Sequence, residues 1–200
     1  MTSTQLTLIV VGGLVVLLLL WLALTYNALV TLRQRVLNAF SQIDVQLKRR
    51  YDLIPNLVEA VKGYMAHERQ TLEAVVQARG AALAASQTAA ANPRDPSAVT
   101  ALIAAENTLA GHLGTFMGLK EAYPDLKADS HVSRLMEELT SAENRVAFAR
   151  QAYNDFTTTY NIKRLSFPTT LVAGPLGFRD QPLFTVNSEA ERQVVAVSLR

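Results

Sequence analysis

The sequence predicts an all-α protein: an N-terminal transmembrane helix continuous with a bundle of long antiparallel helices, followed by an extended Pro/Gly-containing C-terminal segment. Three observations lead there. Between Leu6 and Leu24 the only polar side chain is Thr7, and no charge occurs before Arg33. Downstream, apolar residues recur at steps of three and four through several long stretches, the period of a helix with one buried face. From Phe167-Pro168 onward, Pro175, Pro182, Gly174 and Gly177 exclude a long helix.

The apolar run sets the frame. Its 19 residues cover about 28 Å as a helix, close to the ~30 Å hydrocarbon thickness of a bilayer. A cleaved signal peptide is the rival reading, but it wants a basic leader and a shorter apolar core. Met-Thr-Ser-Thr-Gln carries no basic side chain, and Trp21 with Tyr26 resembles an interfacial anchor rather than a cleavage site. A buried core helix is the third reading. The expected division is a short non-cytoplasmic N-terminus at 1–5, a span at 6–24, a bundle at 25–166 and an extended segment at 167–200. Arg33 and Arg35 lie on the carboxyl side of the span with no counterpart before it, which predicts a cytoplasmic domain. The localisation expected is a bacterial inner membrane, crossed once, with the N-terminus outside.

Composition narrows the function classes. Nineteen Lys+Arg are scattered among 17 Asp+Glu for a net charge of +2, no footprint for nucleic acid. The absence of cysteine removes disulfides, thiol catalysis and thiolate metal sites together.

Leu29, Leu32, Val36, Phe40, Ile43 and Leu47 continue the apolar run as one helix face to about Arg50. Tyr51 to Asn56 reads as the first punctuation, with Pro55 in the first turn of a new helix. That second helix carries Leu57, Val61, Met65, Leu72, Val75 and Leu83 to about Ser86. Asn92-Pro93-Arg94-Asp95 is a loop. A third helix runs from Pro96 or Ser97 to about Lys120, with Val99, Leu102, Leu109, Leu113 and Phe116 inward and Glu106 on the same stripe. Tyr123-Pro124-Asp125 ends it. The fourth, about 130–166, repeats Val132, Leu139, Val146, Tyr153 and Tyr160 every seven residues, with Leu135, Ala142, Ala149 and Phe156 as the companion row. That is the pattern of a bundle or coiled-coil seam. The apolar tail should pack on the bundle or on a neighbouring subunit. Ser188-Glu189-Ala190-Glu191 reads as a capping box, and Val194 to Leu199 as either a helical turn or a strand.

Two blocks resemble the LemA family of membrane-anchored helical proteins. One runs from Tyr26-Asn27 to Arg79, above all Asn38-Ala39-Phe40-Ser41-Gln42-Ile43-Asp44 through Tyr51-Asp52-Leu53-Ile54-Pro55-Asn56-Leu57-Val58. The other runs from Tyr123-Pro124-Asp125-Leu126 through Glu143-Asn144-Arg145-Val146-Ala147, Tyr153-Asn154 and Tyr160-Asn161 to Phe167-Pro168 and Gly177-Phe178. The resemblance implies a single N-terminal anchor, a domain of long antiparallel helices and a link to membrane organisation, and it implies no enzymatic activity.

Candidate chemistry is sparse. His67-Glu68-Arg69-Gln70-Thr71 begins like a zinc-binding His-Glu-x-x-His but ends in Thr, so one of the two imidazoles is missing. No nucleophile elbow or phosphate-binding glycine loop occurs. No catalytic, metal or cofactor residue is assigned, and no small-molecule substrate is expected. The polar residues beside the stripes form the candidate structural network: Asp44, Arg49, Asp52, Glu59, Glu68, Glu143, Asn144, Arg145 and Asn154. A buried carboxylate is costly unless paired, so Arg49 or Arg145 should meet acidic partners. The anchor is marked by Leu6, Gly12, Gly13, Trp21 and Leu24. The function expected is a non-enzymatic scaffold or adaptor, self-associating in the bilayer. The alternative is a regulatory or accessory subunit of a membrane protease or signalling complex with a membrane-protein partner.

Overall fold

The computed structural model describes residues 2–119, 123, 126 and 129–185. Ser188 to Glu191, Val194 to Leu199, Pro124 and Asp125 lie outside them. All regular structure among the described residues is helical. Helix α1 spans Ser3–Val61 without interruption, about 88 Å at 1.5 Å per residue. It is the one described helix long and apolar enough to cross a membrane. Leu8 to Leu20 are exposed, whereas Leu29, Val36, Phe40, Ile43 and Leu47 are buried. One helix therefore has an apolar surface all round in its first half and a core-facing stripe in its second.

Pro55 does not start a new helix; it lies inside α1. A proline there denies the Tyr51 carbonyl its i+4 donor. The Arg79 Nε replaces that donor, reaching the Tyr51 oxygen at 3.0 Å. Ile54, Leu57, Val58 and Val61 meanwhile stay on the buried stripe. Burying four such side chains is worth about 1.5–3 kcal/mol each, against about 3 kcal/mol for an interior proline. The helix wins. The chain turns instead at Lys62 to Met65, where the Tyr64 and Met65 amides both bond the Val61 carbonyl.

After a 3₁₀ turn at Ala66–Glu68, α2 spans Arg69–Ala91, passing through Ser86 into the alanine-rich stretch. Val75, Ala78, Ala82, Ser86 and Ala89 form its buried edge, and such small side chains let neighbouring backbones approach. The loop at Asn92 to Asp95 leads to α3, Pro96–Leu119, whose first turn is tied down by Asp95 Oδ1 accepting from the Ser97 amide and hydroxyl. Helix α4, Ser130–Leu165, starts at Asp129, which accepts from the His131 and Val132 amides. The chain then makes a corner through the four-residue α5, Thr170–Ala173. Gly177 supplies the left-handed turn at φ 77°, and residues 178–185 run back along α4 as an extended strap.

Helix α4 packs along α1, and α2 packs along α3. The α1–α4 register is readable from two contacts: Arg50 meets Glu143 and Phe40 meets Tyr153. Ten residues on each helix separate these pairs, so the two run antiparallel without a slip. The seven-residue pattern on α4 is not kept by its second row. Phe156 is exposed and Thr157 is fully buried in its place. A straight helix drifts about 20° per heptad relative to a 3.5 repeat, enough over three heptads to rotate Phe156 out.

Candidate functional site

The largest constellation of chemistry lies at mid-height, where α1, α3 and α4 meet. On each helix one charged residue occupies a stripe position: Arg50 between Leu47 and Ile54, Glu106 between Leu102 and Leu109, Arg150 between Val146 and Tyr153. Helical spacing therefore turns all three inward. Arg50 and Glu106 have no exposed surface. Arg50 Nη2 pairs with Glu106 Oε2, and Arg150 Nη2 reaches the same oxygen at 2.6 Å. Arg50 Nη1 bonds both Glu143 oxygens at 3.0 Å. The Tyr51 hydroxyl donates to Glu106 Oε1 at 2.6 Å and lies 3.3 Å from the Ala82 carbonyl; its single proton serves the shorter contact.

Two guanidiniums thus face two carboxylates, and Glu106 accepts from three donors. Burial opposes the charge on Arg50, yet Glu106 and Glu143 outweigh it and hold the guanidinium above its usual pKa. For Arg150 the balance goes the other way: burial and the neighbouring Arg50 outweigh Glu106 and lower it. Burial, reinforced by Glu106, pushes the Tyr51 phenol well above its usual value. Neither a guanidinium nor a phenol held this way gives up its proton at neutral pH. The arrangement joins α1, α3 and α4 through ion pairs inside the bundle. The cluster is also lidded by the strap: the Arg150 guanidinium lies 5.3 Å from the centroid of the Phe184 ring.

Of the residues expected in a network, Glu143 alone joins this cluster. Asp44 accepts from the Ser86 hydroxyl at 2.9 Å, tying α1 to α2. Glu68 accepts from Tyr123 at 3.2 Å. Asn154 bonds the strap at Phe184. Glu59 makes an exposed pair with Lys62 at 3.1 Å. Arg49, Asp52 and Arg145 are exposed around an open groove of about 400 Å³; Arg145 bonds Ser141 at 3.3 Å. Asn144 is exposed in a neighbouring groove. Arg50, rather than Arg49, carries the buried charge, because residue 50 is three after Leu47 and 49 is turned about 100° away. The signal that finds Arg50, Glu106 and Arg150 is the stripe itself. Among the described residues no group of three His, Asp or Glu side chains is placed to hold a metal ion.

Known proteins share this chain's sequence over most of its length. It is 24% identical over 193 residues to magnetosome protein MamQ 2 of Paramagnetospirillum magneticum, covering 89% of this chain and 71% of that protein. To magnetosome protein MamQ of Magnetospirillum gryphiswaldense it is 25% identical over 173 residues, 79% of this chain and 64% of that one. To protein LemA of Metamycoplasma hominis it is 27% identical over 172 residues, 86% of this chain and 74% of that one. The sequence model of the LemA family matches residues 39–199, a span that starts inside α1 and takes in Arg50, Glu106, Glu143 and Arg150. With four-fifths of its length matched in this way, the chain belongs to the LemA family.

Proposed function

We propose that the protein is a non-enzymatic, membrane-anchored scaffold that self-associates at the cytoplasmic face of a bacterial inner membrane. The observation that carries this reading is α1: one unbroken helix from Ser3 to Val61 is both the apolar segment and the spine of the bundle. A domain fixed to its anchor in this way is oriented by the bilayer, as a membrane-organising part requires. The charged cluster supports the same view, since its carboxylates are taken up by guanidiniums inside the fold. Relatives named as magnetosome proteins support a membrane setting. Arg33 and Arg35 support the orientation with the N-terminus outside.

The chain has no cysteine, so single cysteines report directly. In intact cells Ser3→Cys should react with an impermeant maleimide, and Phe148→Cys only after permeabilisation; the reverse pattern overturns the orientation. Oxidative cross-linking of Leu17→Cys should give covalent dimers in native membranes. A chain that stays monomeric there, and in detergent by light scattering, removes self-association.

The open groove lined by Arg49, Asp52, Glu138 and Arg145 favours the second reading, an accessory subunit that holds a membrane-protein partner along α1 and α4. Capture of one stoichiometric heterologous protein, lost on Arg49→Glu with Arg145→Glu, would favour it over the scaffold.

A further inference from the structure

The end of the bundle nearest the apolar half of α1 carries a second apolar surface. Phe167 is 80% exposed, Leu171 65%, Ile162 60% and Leu165 59%, with Leu176 also exposed. On a soluble domain such a cluster marks an interaction surface. Its height relative to the anchor follows from the α1–α4 register. Phe40 meets Tyr153, so twelve residues farther on in each direction Leu165 lies level with Ala28. Ala28 is four residues past Leu24, about 6 Å along the helix axis. Beyond Leu165 the chain continues through Phe167 and α5 and returns at Phe178, whose ring lies 5.7 Å from that of Tyr26. The corner therefore turns where the apolar run ends: it leaves α4 level with Ala28, returns beside Tyr26, and Trp21 and Leu22 on α1 are half-buried. Burial on α1 agrees: Thr25 is 5% exposed although its neighbours Leu24 and Tyr26 are exposed.

We infer that the α4–α5 corner, with Phe167 and Leu171 at its tip, is a membrane-inserting wedge seated in the same bilayer interface that α1 crosses. The headgroup layer adds roughly 5–7 Å on each side of the hydrocarbon, the height at which these side chains stand. The charges around them fit that occupant. Lys163 is exposed on the last turn of α4. Arg33, Arg94 and Arg179, against the single carboxylate of Asp95, line a cleft of about 620 Å³ on the same end, beside Tyr160 and Gly177. Apolar tips below and cations above is the polarity of a segment lying in an interface. Two attachments, α1 and the wedge, fix the rotation of the bundle about the α1 axis, which a single helix cannot do. The inference rests on α1 being a membrane anchor.

The test uses the full-length chain in vesicles of equal parts phosphatidylcholine and phosphatidylglycerol. Nitroxide labels are placed one at a time at Phe167→Cys, Leu171→Cys, Phe148→Cys and Leu17→Cys, and collision rates with oxygen and with a water-soluble nickel complex are compared. The wedge requires Phe167→Cys and Leu171→Cys to favour oxygen severalfold over Phe148→Cys, which is exposed on α4 far from the corner. If both behave like Phe148→Cys while Leu17→Cys sits in lipid, the wedge is overturned and the anchor stands. If Leu17→Cys is itself in water, the anchor reading fails first. Labels screened from both reagents, with broadening that disappears on dilution by unlabelled chain, would assign the surface to a second copy and overturn the lipid contact.

Discussion

Asn154 holds Phe184 by both polar groups of its backbone: its Nδ2 donates to the Phe184 carbonyl at 3.0 Å, and its Oδ1 accepts from the Phe184 amide at 2.8 Å. Asn161 does the same to Gln181, at 2.8 and 3.2 Å. The preceding tyrosines repeat the pattern, Tyr153 donating to Pro182 and Tyr160 to Arg179. Seven residues of helix rise about 10.5 Å, and three residues of extended chain about 10 Å. The Tyr-Asn dipeptide repeated at seven on α4 is thus pitch-matched to every third residue of the strap. Side chains do here what a neighbouring strand would do in a sheet.

Each asparagine contributes two bonds worth about 0.5–1.5 kcal/mol net. Asn154→Ala should therefore loosen the strap by about 1–3 kcal/mol. Hydrogen exchange checks this: the Phe184 and Gln181 amides should exchange faster, with buried α1 amides near Ile43 unchanged.

The cluster of Arg50, Glu106, Arg150 and Glu143 should be sensitive to removal of one member and tolerant of removal of the set. Glu106→Gln leaves two buried guanidiniums without their shared carboxylate, and breaking a buried pair costs about 3–5 kcal/mol. Replacing Arg50→Met, Glu106→Leu and Arg150→Met together should recover most of that loss, because the inward-facing charges then go together and Glu143, whose side chain is 36% exposed, is left to water. Urea midpoints of the detergent-solubilised protein distinguish the two; a triple variant as weak as Glu106→Gln would contradict this account.

Arg79 and Pro55 should be energetically coupled although they do not bond each other. Arg79→Met leaves the Tyr51 carbonyl without its donor, at about 1–3 kcal/mol. In a Pro55→Ala background residue 55 regains an amide that can serve that carbonyl. The loss on Arg79→Met should then shrink, and a double-mutant cycle measures the difference.

Alkaline pH should unfold the bundle through its buried phenols. Burial pushes Tyr153 up to about 12, whereas an unfolded tyrosine ionises near 10. Between those values the unfolded state binds fewer protons, so stability is intact below pH 10 and falls as pH rises. A shift of that size corresponds to about 2–3 kcal/mol. Tyr51 and Tyr160 are raised too, burial being the larger cause in each. Tyr153→Phe should flatten the decline in denaturation midpoint between pH 10 and 12.

The sequence shows the helical class and the long apolar N-terminal helix because both rest on local spacing. Leu29 to Leu47 and Val99 to Phe116 need no knowledge of their partners to be read as inner faces. Pro55 misleads for the opposite reason: its missing hydrogen bond is made good by Arg79, 24 residues later, which local rules do not see. Arg50 rather than Arg49 is legible as the inward residue, since the stripe separates adjacent residues by about a third of a turn. Glu106 lies on the α3 stripe between Leu102 and Leu109, but its two arginine partners come from other helices. The Tyr-Asn repeat was visible at its spacing of seven, yet its meaning depends on a strap that becomes an object only once the chain has turned at Gly177.

With the anchoring proposed above, an unbroken α1 makes the protein a lever whose fulcrum is the membrane surface. From Leu24 to Arg50 the axis runs about 39 Å, so a tilt of about ten degrees carries the charge cluster sideways by about 7 Å. Spanning helices tilt by such angles to match bilayer thickness. Local thinning or thickening of the lipid would thus be converted, without any refolding, into lateral displacement of the bundle's far end.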